Sequence, residues 1–323
     1  MIKTLKVGTF NMFNLVSPNV KYYGRRVYSQ SDFDKKVDWQ AQQLDKMKAD
    51  IVGFQEVFHG RALRQVVNAS KHLHGCHLVA ADPDGTFPAV ALASKYPILE
   101  TEVFTEMPEL DIDGKMIPIH NFSRPVLKAA VEIEKGKVIT VFVAHLKSKR
   151  PTFPRNVDKN DPVEIARASV RALVRRSVEA CGLRELLVRH SKLNNRPAII
   201  MGDLNDGSLA VSTRVVSGEP PMRYLSFEDK KKNWDVLFYH TKDIQARKSY
   251  QDFYYTHIHN GHHEALDHIM VNQELVDENP NAIGRVRNVV QLNDHLIDET
   301  LSGEKIPSWQ SDHGQVVAHI EFK

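Results

Sequence analysis

Ala198-Ile199-Ile200-Met201-Gly202-Asp203-Leu204-Asn205 is an apolar run that closes on a carboxylate and a carboxamide. The run reads as a buried strand, and an acid is costly to leave at the end of such a strand without partners. Side chains alternate faces along a strand, so Asp203 and Asn205 are expected to project together if extended geometry persists through Leu204. Gly202 is expected to leave room for a ligand beside them.

The same pattern recurs along the chain. Lys6-Val7-Gly8-Thr9-Phe10-Asn11 opens it, and Asp50-Ile51-Val52-Gly53-Phe54-Gln55-Glu56-Val57 follows. Val141-Phe142-Val143-Ala144-His145 leads into Leu146-Lys147-Ser148. Leu266-Asp267-His268-Ile269-Met270-Val271 and Ser311-Asp312-His313 complete the series. Acids, amides and imidazoles gathered at strand ends point to one polar site for a cation and a phosphate.

Between these runs the pattern alternates irregularly. Val37, Ala41, Leu44 and Lys48 stand at helical spacing after Ser31-Asp32, which predicts a helix over 32–48 capped by that pair, its apolar face carrying the first three. Val126 to Glu134 and Val138 to Lys147 flank the turn signal Lys135-Gly136-Lys137, predicting an antiparallel hairpin that carries His145 on its second strand. Pro162 to His190 reads as a long helix with Gly182 as a break. Residues 150–162 and 217–233 read as loops near the substrate face. The order fits α/β layers and not a simple parallel wound sheet.

With 323 residues, 42% of them hydrophobic, the chain can bury a large core, and motifs at both ends predict a single domain over 1–323. A net charge of +3 is too mild to establish a polyanion partner. Basic runs stand at Lys147-Ser148-Lys149-Arg150 and Lys230-Lys231-Lys232; charge runs are commonly solvated faces, and the first follows His145 directly. Cys76 and Cys181 lack metal-ligand or redox spacing and read as buried free thiols. No stretch approaches membrane-spanning length, and Met1 to Lys6 runs straight into the first motif strand, so the expectation is a cytoplasmic protein without stable membrane association.

These six segments, in this order, resemble the endonuclease/exonuclease/phosphatase superfamily of deoxyribonuclease I-like enzymes. The resemblance runs from Asn11 to His313. It implies a four-layer α/β sandwich, two mostly antiparallel β-sheets packed face to face with helices outside, and metal-dependent hydrolysis of phosphoesters. Such hydrolysis needs a cation, a water held in line, and donors for the developing charge. By the resemblance, Glu56 ligates the metal, with Asn11 and Asp312 supporting its shell. Oxygen ligands suit magnesium, with manganese as a substitute.

Asp203 resembles the family's water-activating carboxylate, with Asn205 orienting the phosphate or the nucleophile. His313 is expected to donate to the scissile phosphate with its ring oriented by Asp267, since a neighbouring carboxylate fixes the tautomer and favours imidazolium. His145 would stabilise charge on phosphate or leaving oxygen. Arg124, in Asn121-Phe122-Ser123-Arg124-Pro125, resembles a phosphate-contacting arginine; a surface salt bridge is the alternative. His257, His259, His262, His263 and His268 cluster around the Asp267 motif, but their spacing is not that of HExxH zinc enzymes.

Departures from sub-family patterns narrow the substrate. Abasic-site endonucleases generally carry tyrosine where His145 stands. Inositol polyphosphate phosphatases carry tryptophan before the Gly-Asp pair and a late Pro-Ala-Trp-Cys-Asp-Arg motif, which Met201 and Ser308-Trp309-Gln310 do not match. Sphingomyelinases share the His145 pattern but present an aromatic membrane hairpin that is not identifiable here. The leading expectation is a phosphodiesterase acting on DNA or RNA. A phosphatase or phosphodiesterase for a small or lipid phosphoester uses the same residues, and a catalytically inactive binding protein is opposed by the intact constellation.

Overall fold

The structure is a computed structural model that describes residues 3–24, 26–81, 84–192, 194, 196–218, 226, 228–229, 233–246 and 254–323. The Lys230-Lys231-Lys232 run lies outside the described residues. The chain begins with β1 (Thr4–Leu15), α1 (Gln30–Met47), β2 (Ile51–His59), α2 (Gly60–Ala69), β3 (His77–Ala80), β4 (Asp84–Ser94) and β5 (Ile98–Glu106). A small hairpin, β6 (Asp111–Ile112) and β7 (Lys115–Met116), precedes β8 (Asn121–Glu134), β9 (Lys137–His145) and the long α3 (Pro162–Ser191). There follow β10 (Ala198–Asp203), α4 (Val211–Ser217), β11 (Phe238–His240), the hairpin β12 (His257–His259) and β13 (His262–Glu264), β14 (Asp267–Asn272), β15 (Gly284–Leu292) and β16 (Gln315–Phe322).

Twelve of these strands form two six-stranded sheets, ordered β15-β16-β1-β2-β4-β3 and β11-β14-β10-β9-β8-β5. Each sheet is antiparallel except for one central parallel pair, β1 with β2 and β9 with β10. A parallel pair needs a crossover, and α1 and α3 supply it. The two central strands of each sheet therefore end together, and the Asn11–Asp203 hydrogen bond shows that the two pairs end at the same edge of the sandwich. Being covered on both faces, they read as unbroken apolar runs and not as alternating ones.

Leu5, Val7 and Ile51 of the first sheet and Leu127, Val143 and Met201 of the second share the core between the sheets. Gly53 lets them approach there, since a Cβ would come 2.7 Å from the Met201 sulfur. On the outer faces, α1 and α2 cover the first sheet through Phe33, Leu44, Leu63 and Val66, and α3 covers the second through Val178, Leu183 and Leu187. The architecture is thus the four-layer α/β sandwich. Among the described residues no helix is long and apolar enough to cross a membrane.

Several local expectations need correction. The cap of α1 is Ser29, whose hydroxyl accepts from the Asp32 N–H, and its buried face runs through Phe33, Lys36, Gln40, Ala41, Leu44 and Met47, with Val37 only half-buried. Helix α3 is continuous through Gly182, which is there because a Cβ would meet the Met107 side chain at 2.9 Å. Gly202 makes room for a neighbouring strand and not for a ligand, since a Cβ would stand 1.9 Å from the Ala144 carbonyl oxygen. Cys76 and Cys181 are free thiols but only half-buried.

Candidate active site

On the second sheet the ladder itself assembles the site. Asp203 ends β10 opposite His145, the last residue of β9, and opposite Asp267, the first of β14. His313, just before β16, brings its Nδ1 to 2.7 Å from Asp267 Oδ2, and its Nε2 lies 3.9 Å from Asp203 Oδ2. The same Asp203 oxygen is 3.4 Å from His145 Nε2 and accepts from Asn11 Nδ2 at 3.1 Å. Asn205 reaches this group by a turn and not by extended chain. Its φ is 57°, its N–H donates to Asp203 Oδ1 at 2.8 Å, and its carboxamide donates to the Leu146 carbonyl at 3.0 Å. Arg124 donates to that same carbonyl at 3.1 Å.

On the first sheet the site is built where the ladder fails. The β1–β2 register shifts between Asn11 and Leu15, and Phe13, Asn14 and Glu56 have φ of 46°, 56° and 60°. These left-handed backbones cost free energy in non-glycine residues, and they turn two N–H groups inward. Asn14 N–H donates to Glu56 Oε2 at 2.8 Å, and Phe13 N–H to Asn11 Oδ1 at 3.0 Å. The displaced carbonyls are taken up behind by α1. Gln40 donates to Met12 O at 2.8 Å, and the fully buried Lys36 ammonium donates to Phe13 O at 2.9 Å and Ser308 O at 3.2 Å. Ser311 Oγ donates to Asn11 O at 2.8 Å, which fixes the segment carrying Asp312 and His313 against β1.

Burial and mutual charge set the protonation states. Burial lifts Asp203 to about 7, partly opposed by the nearby His313 charge and reinforced by Asp267. For His313 burial disfavours the cation, but Asp267 and Asp203 outweigh it and hold the imidazole well above its ordinary range. Burial drives His145 the other way, well below that range, helped by the charges of Arg124 and His313. Glu56 is raised by burial and then by the negative charge of Asp312. Lys36 is lowered by burial to about 7, against the pull of Glu56 and Asp312.

One carboxylate near neutrality, one charged imidazole and one neutral imidazole therefore converge, with three further acids alongside, Asp267, Glu56 and Asp312. Such a set can take a proton from a water and stabilise an oxyanion. Residues 8–313 match the family model described as the Endonuclease/Exonuclease/phosphatase family. This chain belongs to that family. No curated protein matches the sequence significantly.

Solved structures share the fold over nearly their whole length. D. rerio TDP2, humanized by 14 mutations, is 15% identical and aligns over 98% of this chain and 99% of its own, with a TM-score of 0.57. The human Nocturnin catalytic domain with bound sulfate is 14% identical over 99% of this chain and 95% of its own, TM-score 0.56. The mannosyl-6-phosphatase of Bacteroides thetaiotaomicron is 18% identical over 98% of this chain and all of its own, TM-score 0.56. At these identities the likeness is one of fold.

Endonuclease/exonuclease/phosphatase proteins hydrolyse phosphoesters and depend in general on a divalent metal. The residues here fit a hard cation: the acids Glu56 and Asp312 stand close enough for one to raise the other, a repulsion that a dication between them would relieve. Two sets of ligand atoms also lie within 4.8 Å of one another, His257 with Asp312 and His313, and Asp203 with Asp267 and His313. Glu56 belongs to neither.

The histidine cluster divides. His257 Nδ1 donates to the Asp312 backbone carbonyl at 3.0 Å, and its ring lies 4.8 Å from that of His313. His268 is buried within β14 and meets Asp206 O at 2.8 Å, while His259 and His262 sit exposed on the β12–β13 hairpin. His257 was read in sequence only as one of the histidine cluster, without a place beside His313, and Lys36 was not singled out. A lysine on the buried face of α1 was the available signal for the second. The Lys147–Arg150 run is also less free than its composition implies: Lys147 Nζ is held by the carbonyls of Ser148 and Arg150, and Lys149 pairs with Glu264 at 2.7 Å and Asp206 at 3.7 Å.

Proposed function

We propose that this chain, acting as one catalytic unit, is a magnesium-dependent phosphodiesterase that cleaves nucleic acid by in-line attack of an activated water. The observation that carries the reading is the row His145–Asp203–Asp267 with His313 locked onto Asp267 at 2.7 Å. Glu56 and Asp312, with Asn11, would hold Mg2+ or Mn2+, which would neutralise phosphate charge when bound. Asp203 takes the proton of the attacking water, a task that suits a carboxylate raised to about 7. The His313 imidazolium donates to a non-bridging oxygen, and Asp267 keeps its ring in place. One carboxamide N–H of Asn205 is spent on Leu146 O, so the other serves the phosphate or the nucleophile. Neutral His145 supports charge on the phosphate or on the departing oxygen, and Arg124 pairs with the phosphate.

One observation favours a small phosphoester instead: the internal partners of Lys147 and Lys149 leave less free cation beside the site for a polymer backbone. A magnesium-containing activity panel separates the readings. It would comprise plasmid, single-stranded DNA, RNA, abasic duplex, a chromogenic phosphodiester, inositol phosphates and sphingomyelin. Polymer cleavage that falls as salt is raised is the expected result, because backbone binding weakens as counterions compete. Salt-insensitive turnover of a small ester alone would overturn the nuclease reading.

A further inference from the structure

Helix α3 places two buried ionic side chains one turn apart, Arg176 and Glu179, neither of which the mechanism above uses. Arg176 Nε donates to Asp206 Oδ2 at 2.7 Å. Glu179 is wholly buried, which is rare for a carboxylate and calls for full pairing. Its Oε1 accepts from the Ser123 N–H at 2.9 Å, the Ser123 hydroxyl at 2.5 Å and Arg175 Nε at 3.2 Å. Its Oε2 accepts from the Lys147 N–H at 2.7 Å.

The Lys147 N–H and the Leu146 carbonyl are the two ends of one peptide unit. The carbonyl end receives both Arg124, at 3.1 Å, and the Asn205 carboxamide, at 3.0 Å. A peptide is planar, so fixing the direction of its N–H fixes the direction of its C=O. A carboxylate on the N–H also polarises the unit and strengthens what the carbonyl accepts. The other Glu179 oxygen holds Ser123, the residue before Arg124 in β8. Arg124 is therefore held twice, by its backbone neighbour and by its guanidinium, and both restraints lead to one acid.

We propose that Glu179 is a positioning residue for phosphate binding, setting Arg124 and Asn205 through the Leu146–Lys147 peptide and through Ser123. The inference rests on the reading of Arg124 and Asn205 as phosphate contacts. Glu179→Gln keeps the volume but turns a donor toward the donors of Ser123 or Lys147. The probes are inorganic phosphate and magnesium alone, each titrated by calorimetry against the full chain, with the thermal midpoint measured in parallel. Phosphate affinity should fall on the order of 10-fold or more, as displacement of contact groups by a fraction of an ångström allows. Magnesium affinity should stay unchanged, because Glu56 and Asp312 hang from the other sheet. Combined with Arg124→Ala, the loss should be smaller than the product of the single losses.

A lowered thermal midpoint with wild-type phosphate affinity overturns the proposal, as do fully independent losses in the double variant. If Glu179→Gln does not fold, Glu179→Asp serves, since a carboxylate one methylene shorter cannot span Ser123 and Lys147; unchanged phosphate affinity there overturns it equally. Arg124→Ala with undiminished phosphate binding would instead remove the phosphate-contact reading itself.

Discussion

The second sheet sets its site residues in perfect ladder register, whereas the first sets its own where the ladder is interrupted. Asp203 faces His145 on one side and Asp267 on the other, and these positions follow from strand pairing alone. Asn11, Asn14 and Glu56 converge through a bulge with three left-handed residues, kept in place by Lys36 and Gln40 of a helix on the far side. A ladder tolerates the loss of a side chain because the backbone still specifies the geometry. A bulge depends on its props, because left-handed backbones relax when their partners go. The half proposed to handle the proton should thus fail chemically, and the half proposed to hold the cation should fail structurally when its props Lys36 and Gln40 are removed.

The largest effect is expected at Asp203 of the register side and at His313, which the segment before β16 of the first sheet lays against it. Asp203→Asn or His313→Ala should lower kcat on the order of 10²-fold or more with little change in substrate binding, and normal kcat with weakened binding would break the division. The same half should impose an acid limb: protonating a base with a pKa of about 7 removes it, so kcat/KM should fall about tenfold per pH unit below that value. Asp203→Asn should lack the limb. His145→Ala comes next. It should lose more on an oligonucleotide or alkyl diester than on a nitrophenyl diester, whose departing oxygen needs less help. Equal losses would move His145 to the non-bridging oxygens.

On the bulge side, Glu56→Gln should raise the magnesium requirement by roughly 10-fold with the fold intact, and an unchanged requirement would remove Glu56 from the cation. Lys36→Met is the smallest effect. It deprives two carbonyls of a donor, costing about 1–3 kcal/mol, and should lower the thermal midpoint and weaken magnesium binding together. Loss of stability alone would mean that the bulge survives without its prop.

The same contrast explains what could be read from the sequence. Residues that bound apolar runs, with Asn11, His145 and Asp203 closing theirs and Asp267 opening its own, were legible because a buried strand has an unbroken apolar signature whose limit is marked by a polar group. The β8–β9 hairpin was legible from Lys135-Gly136-Lys137. The Asn205 turn was not, because a left-handed asparagine and an extended one look alike in sequence. Gly202 was misread because its reason, the Ala144 carbonyl, lies 58 residues away on another strand. Lys36 and Glu179 stayed hidden, and His257 was seen only as one of a cluster, for a related reason: each acts through backbone groups of distant segments, which leave no mark on residue identity.

Strand β16 carries a consequence for how the chain comes to be. Its Gln315–Phe322 stretch pairs with β1, Thr4 opposite Glu321, so the second edge of a central strand waits for some three hundred residues of synthesis. Until then β1 offers bare amides and carbonyls along an apolar strand, an invitation to other chains, and Asp312 and His313 are absent. A nascent chain, or one clipped before Asp312, is in that sense incomplete, prone to aggregate and without Asp312 and His313, and the last strand to dock closes the sheet and completes the candidate site at one stroke.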